Sequence, residues 1–107
     1  MKGFAGGMAQ LMKQANQMQL KMKKVQEEIG QQAFDGTAGG GAVKVTVNGD
    51  HLLKSVVISP ELIKSGDSEM LQDLIVMASN DAIKVAKETM AKEMEKISGG
   101  MNIPGLF

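Results

Sequence analysis

Five lysines, Lys2, Lys13, Lys21, Lys23 and Lys24, precede the first carboxylate of the chain, Glu27. Residues 1–26 therefore carry a formal charge of +5. Residues 27–107 hold 7 lysines and 12 acids, a charge of −5, so the 107-residue chain is neutral overall. The chemistry open to the first segment is contact with a polyanion. An ammonium placed near a phosphate displaces condensed counterions, and such binding weakens as salt rises. A charge split of this kind points to nucleic acid or acidic lipid held by one part of the chain. The plain alternative is a solvated basic helix face.

Other chemistry finds little support. The chain has no Cys and one His, His51. A disulfide scaffold, a thiol nucleophile, a Cys-ligated metal and a multi-histidine zinc site are thereby excluded. Residues 37–42, Thr-Ala-Gly-Gly-Gly-Ala, share only glycines with a phosphate-binding loop. That loop needs Lys-Ser/Thr and then a helix, and here a strand pattern follows, so a flexible hairpin loop is expected. His51 lies beside Asp50 at a hairpin exit. Ser55, its nearest nucleophile candidate, would stand about 13 Å away along a strand. Asp67, Glu69 and Asp73 gather at a helix start, where the dipole favours carboxylates without any bound cation. Asn80 and Asp81 interrupt a helical pattern as poor helix formers; they could make a specific contact or face water. No set combines nucleophile, base and oxyanion site. The chain is read as a non-enzyme with no cofactor and no metal.

The elements that position the lysines follow from periodicity. Met8, Leu11, Ala15, Met18, Met22, Val25 and Ile29 are spaced alternately three and four apart, an unbroken a/d heptad seam. They predict a helix over 8–29, with Lys13, Lys21 and Lys24 opposite the seam, Lys23 flanking, and Gly30 ending it. Residues 1–7, glycine-rich, are expected to be a flexible N-terminus. Val43, Val45 and Val47 alternate with polar residues, Asn48-Gly49-Asp50 signals a hairpin, and a second strand follows over His51–Ser59. Gln31–Thr37 reads as a weaker first strand. The result is a three-stranded antiparallel meander over 31–59, its last strand apolar on both faces and in want of cover on both. Ser65-Gly66-Asp67-Ser68 supplies a break and an N-cap for a long helix over 68–97. Gly99-Gly100 stops it, and 99–107 form an apolar, Pro/Gly-broken tail. The fold class is α+β, an α-β-β-β-α protomer in one domain, 1–107.

Helices of 22 and 30 residues span about 33 and 45 Å, whereas a compact domain of this length has a radius of gyration near 13 Å. At least one helix should project, and a projecting apolar seam needs a partner. A homodimer is the simplest answer. Leu11, Met18, Met22 and Val25 are the candidate interface, and Lys13, Lys21, Lys23 and Lys24 the candidate polyanion-binding residues. The apolar runs are too short to span a membrane, and no secretory signal is readable at the N-terminus. The cytoplasm is the expected compartment.

Four stretches carry a family resemblance. After the Met/Gln/Lys-rich first helix come Gly36-Thr-Ala-Gly-Gly-Gly-Ala-Val-Lys-Val-Thr-Val-Asn-Gly49 and Val57-Ile-Ser-Pro-Glu-Leu-Ile63. Then come Glu69-Met-Leu-Gln-Asp-Leu-Ile-Val-Met-Ala-Ser-Asn-Asp-Ala82 and Gly100-Met-Asn-Ile-Pro-Gly-Leu106. Over nearly the whole chain this resembles the YbaB/EbfC-type bacterial nucleoid-associated proteins. The resemblance implies a tweezer-like homodimer with paired helices projecting from a central β body, and binding to DNA in the bacterial cytoplasm. It also makes Asn80-Asp81 part of the family pattern.

With that partner, the residues set the mode of binding. Lacking arginine, the chain lacks the commonest bidentate reader of guanine. Three Phe without Trp or Tyr give no stacking platform for single strands. Weak, duplex-preferring, largely sequence-independent binding by the lysines is expected, with effects on gene expression or nucleoid organisation. The competing expectation is a protein-binding adaptor working with replication or recombination proteins through the Met seam and Ile103, Leu106 and Phe107.

Overall fold

The computed structural model describes residues 2–99, with side chains from residue 7 onward. The element order is α1 (Lys2–Gln31), β1 (Ala33–Ala38), β2 (Val43–Asn48), β3 (Leu53–Ile58), α2 (Pro60–Ser65) and α3 (Ser68–Ser98). The α-β-β-β-α layout is as expected, with α2 as a short added turn of helix. The apolar residues of 100–107 lie outside the described residues.

The strands form one antiparallel sheet in the order β1-β2-β3. Period-2 alternation decides which face is covered. Phe34, Gly36 and Ala38 of β1 and Val43, Val45 and Val47 of β2 are buried, and the residues between them are more open. Against this face lies α3, whose Ala78, Ala82 and Ala86 are fully buried. Small residues on the helix let its backbone approach closely, and Gly36 completes the fit. A Cβ there would collide with the Ala78 carbonyl and the Ala82 amide.

One helix, however, covers only about two strands, since strands lie about 4.8 Å apart and a helix is about 10 Å wide. Here α3 packs over β1 and β2. β3 is left bare: Leu53, Val56 and Val57 remain 51%, 41% and 59% exposed. The apolar character of both its faces is real, and the subunit covers neither.

Both ends of α1 differ from expectation. α1 begins at Lys2 rather than Met8, because adding turns to an existing helix costs far less than nucleating one. It also runs through Gly30 to Gln31. Gly30 therefore does not supply the left-handed stop expected of it, and a Cβ there would meet only the tip of the exposed Asp50 side chain. Gly49 admits the Ile29 carbonyl, so the end of α1 sits on the β2–β3 turn. That turn is longer than an Asn-Gly hairpin. Asn48, buried, accepts the amides of Asp50 and Leu52 on Oδ1 at 3.0 and 3.1 Å. His51 takes a left-handed φ of 68° and donates its amide to the Asn48 carbonyl. Strand pairing therefore resumes at Leu53, two residues later than the apolar pattern suggested. The β1–β2 loop, with Gly39, Gly40 and Gly41 all at positive φ, is a hairpin turn.

The break and N-cap expected over Ser65-Gly66-Asp67-Ser68 are present. Ser59 accepts the Leu62 amide ahead of α2, Gly66 closes it at φ 72°, and Asp67 Oδ1 accepts the Met70 amide at 2.9 Å to start α3. The molecule is 77 Å long with a radius of gyration of 21.1 Å, well above the value of about 13 Å for a compact chain of this length. The helices do project.

Candidate nucleic-acid interface

The lysine ridge is placed by the way α1 leaves the sheet. Ile29, at its C-terminal end, belongs to the buried cluster, and Val25 packs against that cluster. One hollow is lined by Val25, Glu28, Ile29 and Gln32 of the α1 end and by Thr89 and Glu93 of α3. Gln26 Nε2 reaches Met94 Sδ at 3.7 Å. The two helices therefore run antiparallel from the sheet outward. By the same spacing Ser98, the last residue of α3, falls beside Met22, and α1 continues beyond it as an arm.

The four candidate lysines stand along this helix. Lys13, Lys21, Lys23 and Lys24 are all exposed. Among the described residues two ion pairs form, Lys44–Asp35 at 3.4 Å and Lys96–Glu93 at 3.1 Å, and neither involves these four. From Lys13 to Lys24 the ridge covers about 16 Å, the rise of roughly five base pairs of duplex. The acids Glu27 and Glu28 follow immediately, and Glu27 and Asp50 share a hollow with Lys23, Gln26 and Gln31. The lysine ridge thus meets carboxylates where α1 reaches the sheet, Lys23 standing nearest them. The arm offers ammonium groups on a rigid rod, with amides of Gln10, Gln14, Gln17 and Gln19 between them. It has no aromatic ring at residues 7–31 to stack on a base.

The four candidate interface residues separate into two groups. Met22 and Val25, half-buried, lie where α1 meets α3 of the same chain. Leu11 is 58% exposed, and Met18 is partly covered.

Two further features bear on the site. The first, in line with the expectation that the last strand wants cover, is the bare apolar face beside α3. Val45 and Val56 are register partners, so Val56 shares the sheet face that α3 covers over β2. Val76 and Ile83, seven apart on the α3 flank away from Asp81, border it, with Val76 58% exposed. The two-faced β3 was the signal. The second is Asp81, whose Oδ2 accepts the Thr37 amide at the free edge of β1. No sequence signal names that partner. On the outer sheet face, Asp35 accepts the Thr46 hydroxyl at 2.7 Å and pairs with Lys44. Those contacts hold its carboxyl below its ordinary value: the Thr46 hydrogen bond is the largest influence, desolvation opposes it, and the hydrogen bond and charge of Lys44 add to the lowering. Among the described residues no group of three or more His, Cys, Asp or Glu could hold a metal ion. None of their helices is long and apolar enough to cross a membrane.

Known proteins share this arrangement. A nucleoid-associated protein of Caldanaerobacter subterraneus subsp. tengcongensis is 50% identical over 107 residues, covering 98% of this chain and 96% of its own. One from Clostridium novyi is also 50% identical, over 98% and 94%. The crystal structure of an uncharacterized Helicobacter pylori protein, HP0035, superposes with a TM-score of 0.69 at 25% identity, covering 83% of this chain and 94% of that one. The sequence profile of the YbaB/EbfC DNA-binding family matches residues 4–101, from the arm through the sheet to the end of α3. With profile, relatives and architecture in agreement, the chain belongs to the YbaB/EbfC DNA-binding family.

Proposed function

We propose that this chain is a bacterial nucleoid-associated protein whose homodimer holds double-stranded DNA through Lys13, Lys21, Lys23 and Lys24. The observation that carries the reading is the run of exposed lysines on α1 ahead of the chain's first acid, Glu27, none of them in an ion pair among the described residues. The relatives' names and the family's description support DNA as the polyanion. Binding is weak because it rests on lysine–phosphate contacts, and nearly sequence-independent because phosphates carry no sequence information directly. Its setting is the nucleoid, where it influences compaction or gene expression.

The dimer places two ridges on one particle. Its interface is the bare face of β3 together with the Val76–Ile83 flank of α3. The partner's α3 roofs β3, and symmetry returns the same cover, as an isologous contact requires. A three-stranded sheet under a two-strand-wide helix supports this reading, as do four large aliphatic residues, Leu52, Leu53, Val56 and Val57, left half-exposed on or beside one edge strand.

A mobility-shift titration across salt tests the ridge. Changing Lys13, Lys21, Lys23 and Lys24 together to Ala should weaken binding and flatten the slope of log affinity against log salt. Each lost phosphate contact flattens it by about 0.9. Unchanged affinity and slope would refute the assignment.

A further inference from the structure

We infer that the outer part of α1, residues 8–19, pairs antiparallel with the same segment of another dimer, so that dimers on DNA join arm to arm. The inference rests on the homodimeric, DNA-holding reading above for its setting. It starts from the reach of α3. By the spacing above Ser98 falls beside Met22, and outward of that point the seam residues Met8 and Leu11 are 52% and 58% exposed, with Met12 beside them at 63%, while Met18 is partly covered. The heptad seam does not stop there; it continues through Met18, Ala15, Leu11 and Met8.

The residues beside the seam indicate what can cover it. In a coiled pair the positions flanking a and d select the partner by charge. Here those positions are Met12, Gln14 and Gln19, all neutral, while Lys13 lies on the opposite side of the helix. Nothing along this stretch selects an acidic helix, and nothing repels an identical one. Amide side chains can donate and accept to their own kind. The seam is also self-complementary when reversed. Antiparallel alignment sets Met8 against Met18 of the other copy and Leu11 against Ala15, large against small, the alternation that fills a core. Lys13 stays outward and free for phosphate.

Length makes the contact conditional. Met8 to Met18 covers about 15 Å, under two heptads, and helices this short do not hold together alone in water. Two arms per dimer, and many dimers tethered along one duplex, raise the effective concentration enough for a weak contact to form. The arms should therefore remain separate in dilute protein and join on long DNA.

The experiment compares the full chain with Met8→Gln/Leu11→Gln, changes at two exposed arm residues that preserve charge and keep helix propensity close. Both proteins are titrated against a duplex too short for two dimers and against long duplex. Both are also used to recover free duplex on a bead-bound duplex. Short-duplex affinity should stay within about twofold, while cooperativity on long DNA disappears and duplex recovery falls about tenfold. Equal loss on short and long DNA, or undiminished cooperativity and recovery, would overturn the inference.

A second measurement uses the absence of native cysteine. Leu11→Cys and Ala15→Cys chains, mixed on long DNA, oxidised and freed by nuclease, should give particles of four or more chains under native conditions. Particles of two chains would show pairing inside one dimer and overturn it. So would slow alkylation of Leu11→Cys in the DNA-free full chain that becomes fast after truncation beyond Gly99, since the chain's own tail would then occupy the seam. If the full chain fails to bind the short duplex, the DNA-holding reading falls. The same oxidation at high protein concentration without DNA then decides arm pairing alone, four-chain particles upholding it and two-chain particles or none refuting it.

Discussion

The Oδ2 atom of Asp81 accepts the backbone amide of Thr37 at 3.3 Å. β1 is an edge strand, and an unpaired edge amide invites pairing with another chain. The helix that covers β1 supplies the missing acceptor from its own side chain. Asp81 is therefore an edge clamp, next to Ala82, whose backbone meets Gly36.

Asp81→Ala should remove that acceptor. Both groups are open to water, so the expected loss is modest, about 1 kcal/mol. Hydrogen exchange at the Thr37 amide should quicken while the buried β2 amides keep their protection. Unaltered Thr37 exchange would show that the contact does not hold the edge.

Gly36→Ala should be far more damaging. The added Cβ meets backbone atoms of Ala78 and Ala82, which no rotamer change can move aside. A loss of about 3 kcal/mol, with a matching fall in Tm, is expected from overpacking. Gly66→Ala is the comparison. Its Cβ meets nothing, and only the left-handed φ of 72° opposes it, which costs about 1 kcal/mol. If Gly66→Ala proved the worse of the two, the close approach of α3 to β1 would be wrong.

Val56→Asp should break the dimer without unfolding the subunit. Val56 is 41% exposed in the single chain, so an acid there is solvated, whereas under a partner's helix it would be buried and unpaired. Analytical ultracentrifugation should report single chains with the secondary structure intact. A persistent dimer would move the interface elsewhere.

The Asp35 carboxyl titrates below its ordinary value, chiefly through the Thr46 hydroxyl and then Lys44. A depressed carboxyl contributes stability that is present above the unfolded-state value, near 3.8, and is lost as pH falls through the lower folded value. The outer sheet face should therefore weaken only below about pH 4. Asp35→Asn should flatten that acid limb of a Tm-versus-pH curve and leave neutral pH nearly unaffected. A carboxyl carbon shift of Asp35 that titrates at or above the ordinary value would disprove the effect.

Chain order alone was enough for the elements, because the forces that make them are local. Alternating Val43, Val45 and Val47, the cap ahead of α3 and the a/d seam of the first helix each act within a few residues. The acid-free run of lysines before Glu27 was equally plain, since charge needs no fold to be counted. Long-range geometry decided the rest. Gly30 looked like a stop, yet the helix runs through it to Gln31 and rests on Gly49, because only the folded chain brings the β2–β3 turn to the end of the helix. Met22 and Val25 looked equivalent to Leu11, yet α3 ends beside Met22 and leaves Leu11 outside. Asp81 found Thr37, 44 residues away. Periodicity shows which side of an element is apolar. What covers that side depends on where the other elements end, and those distances exist only after the chain has folded.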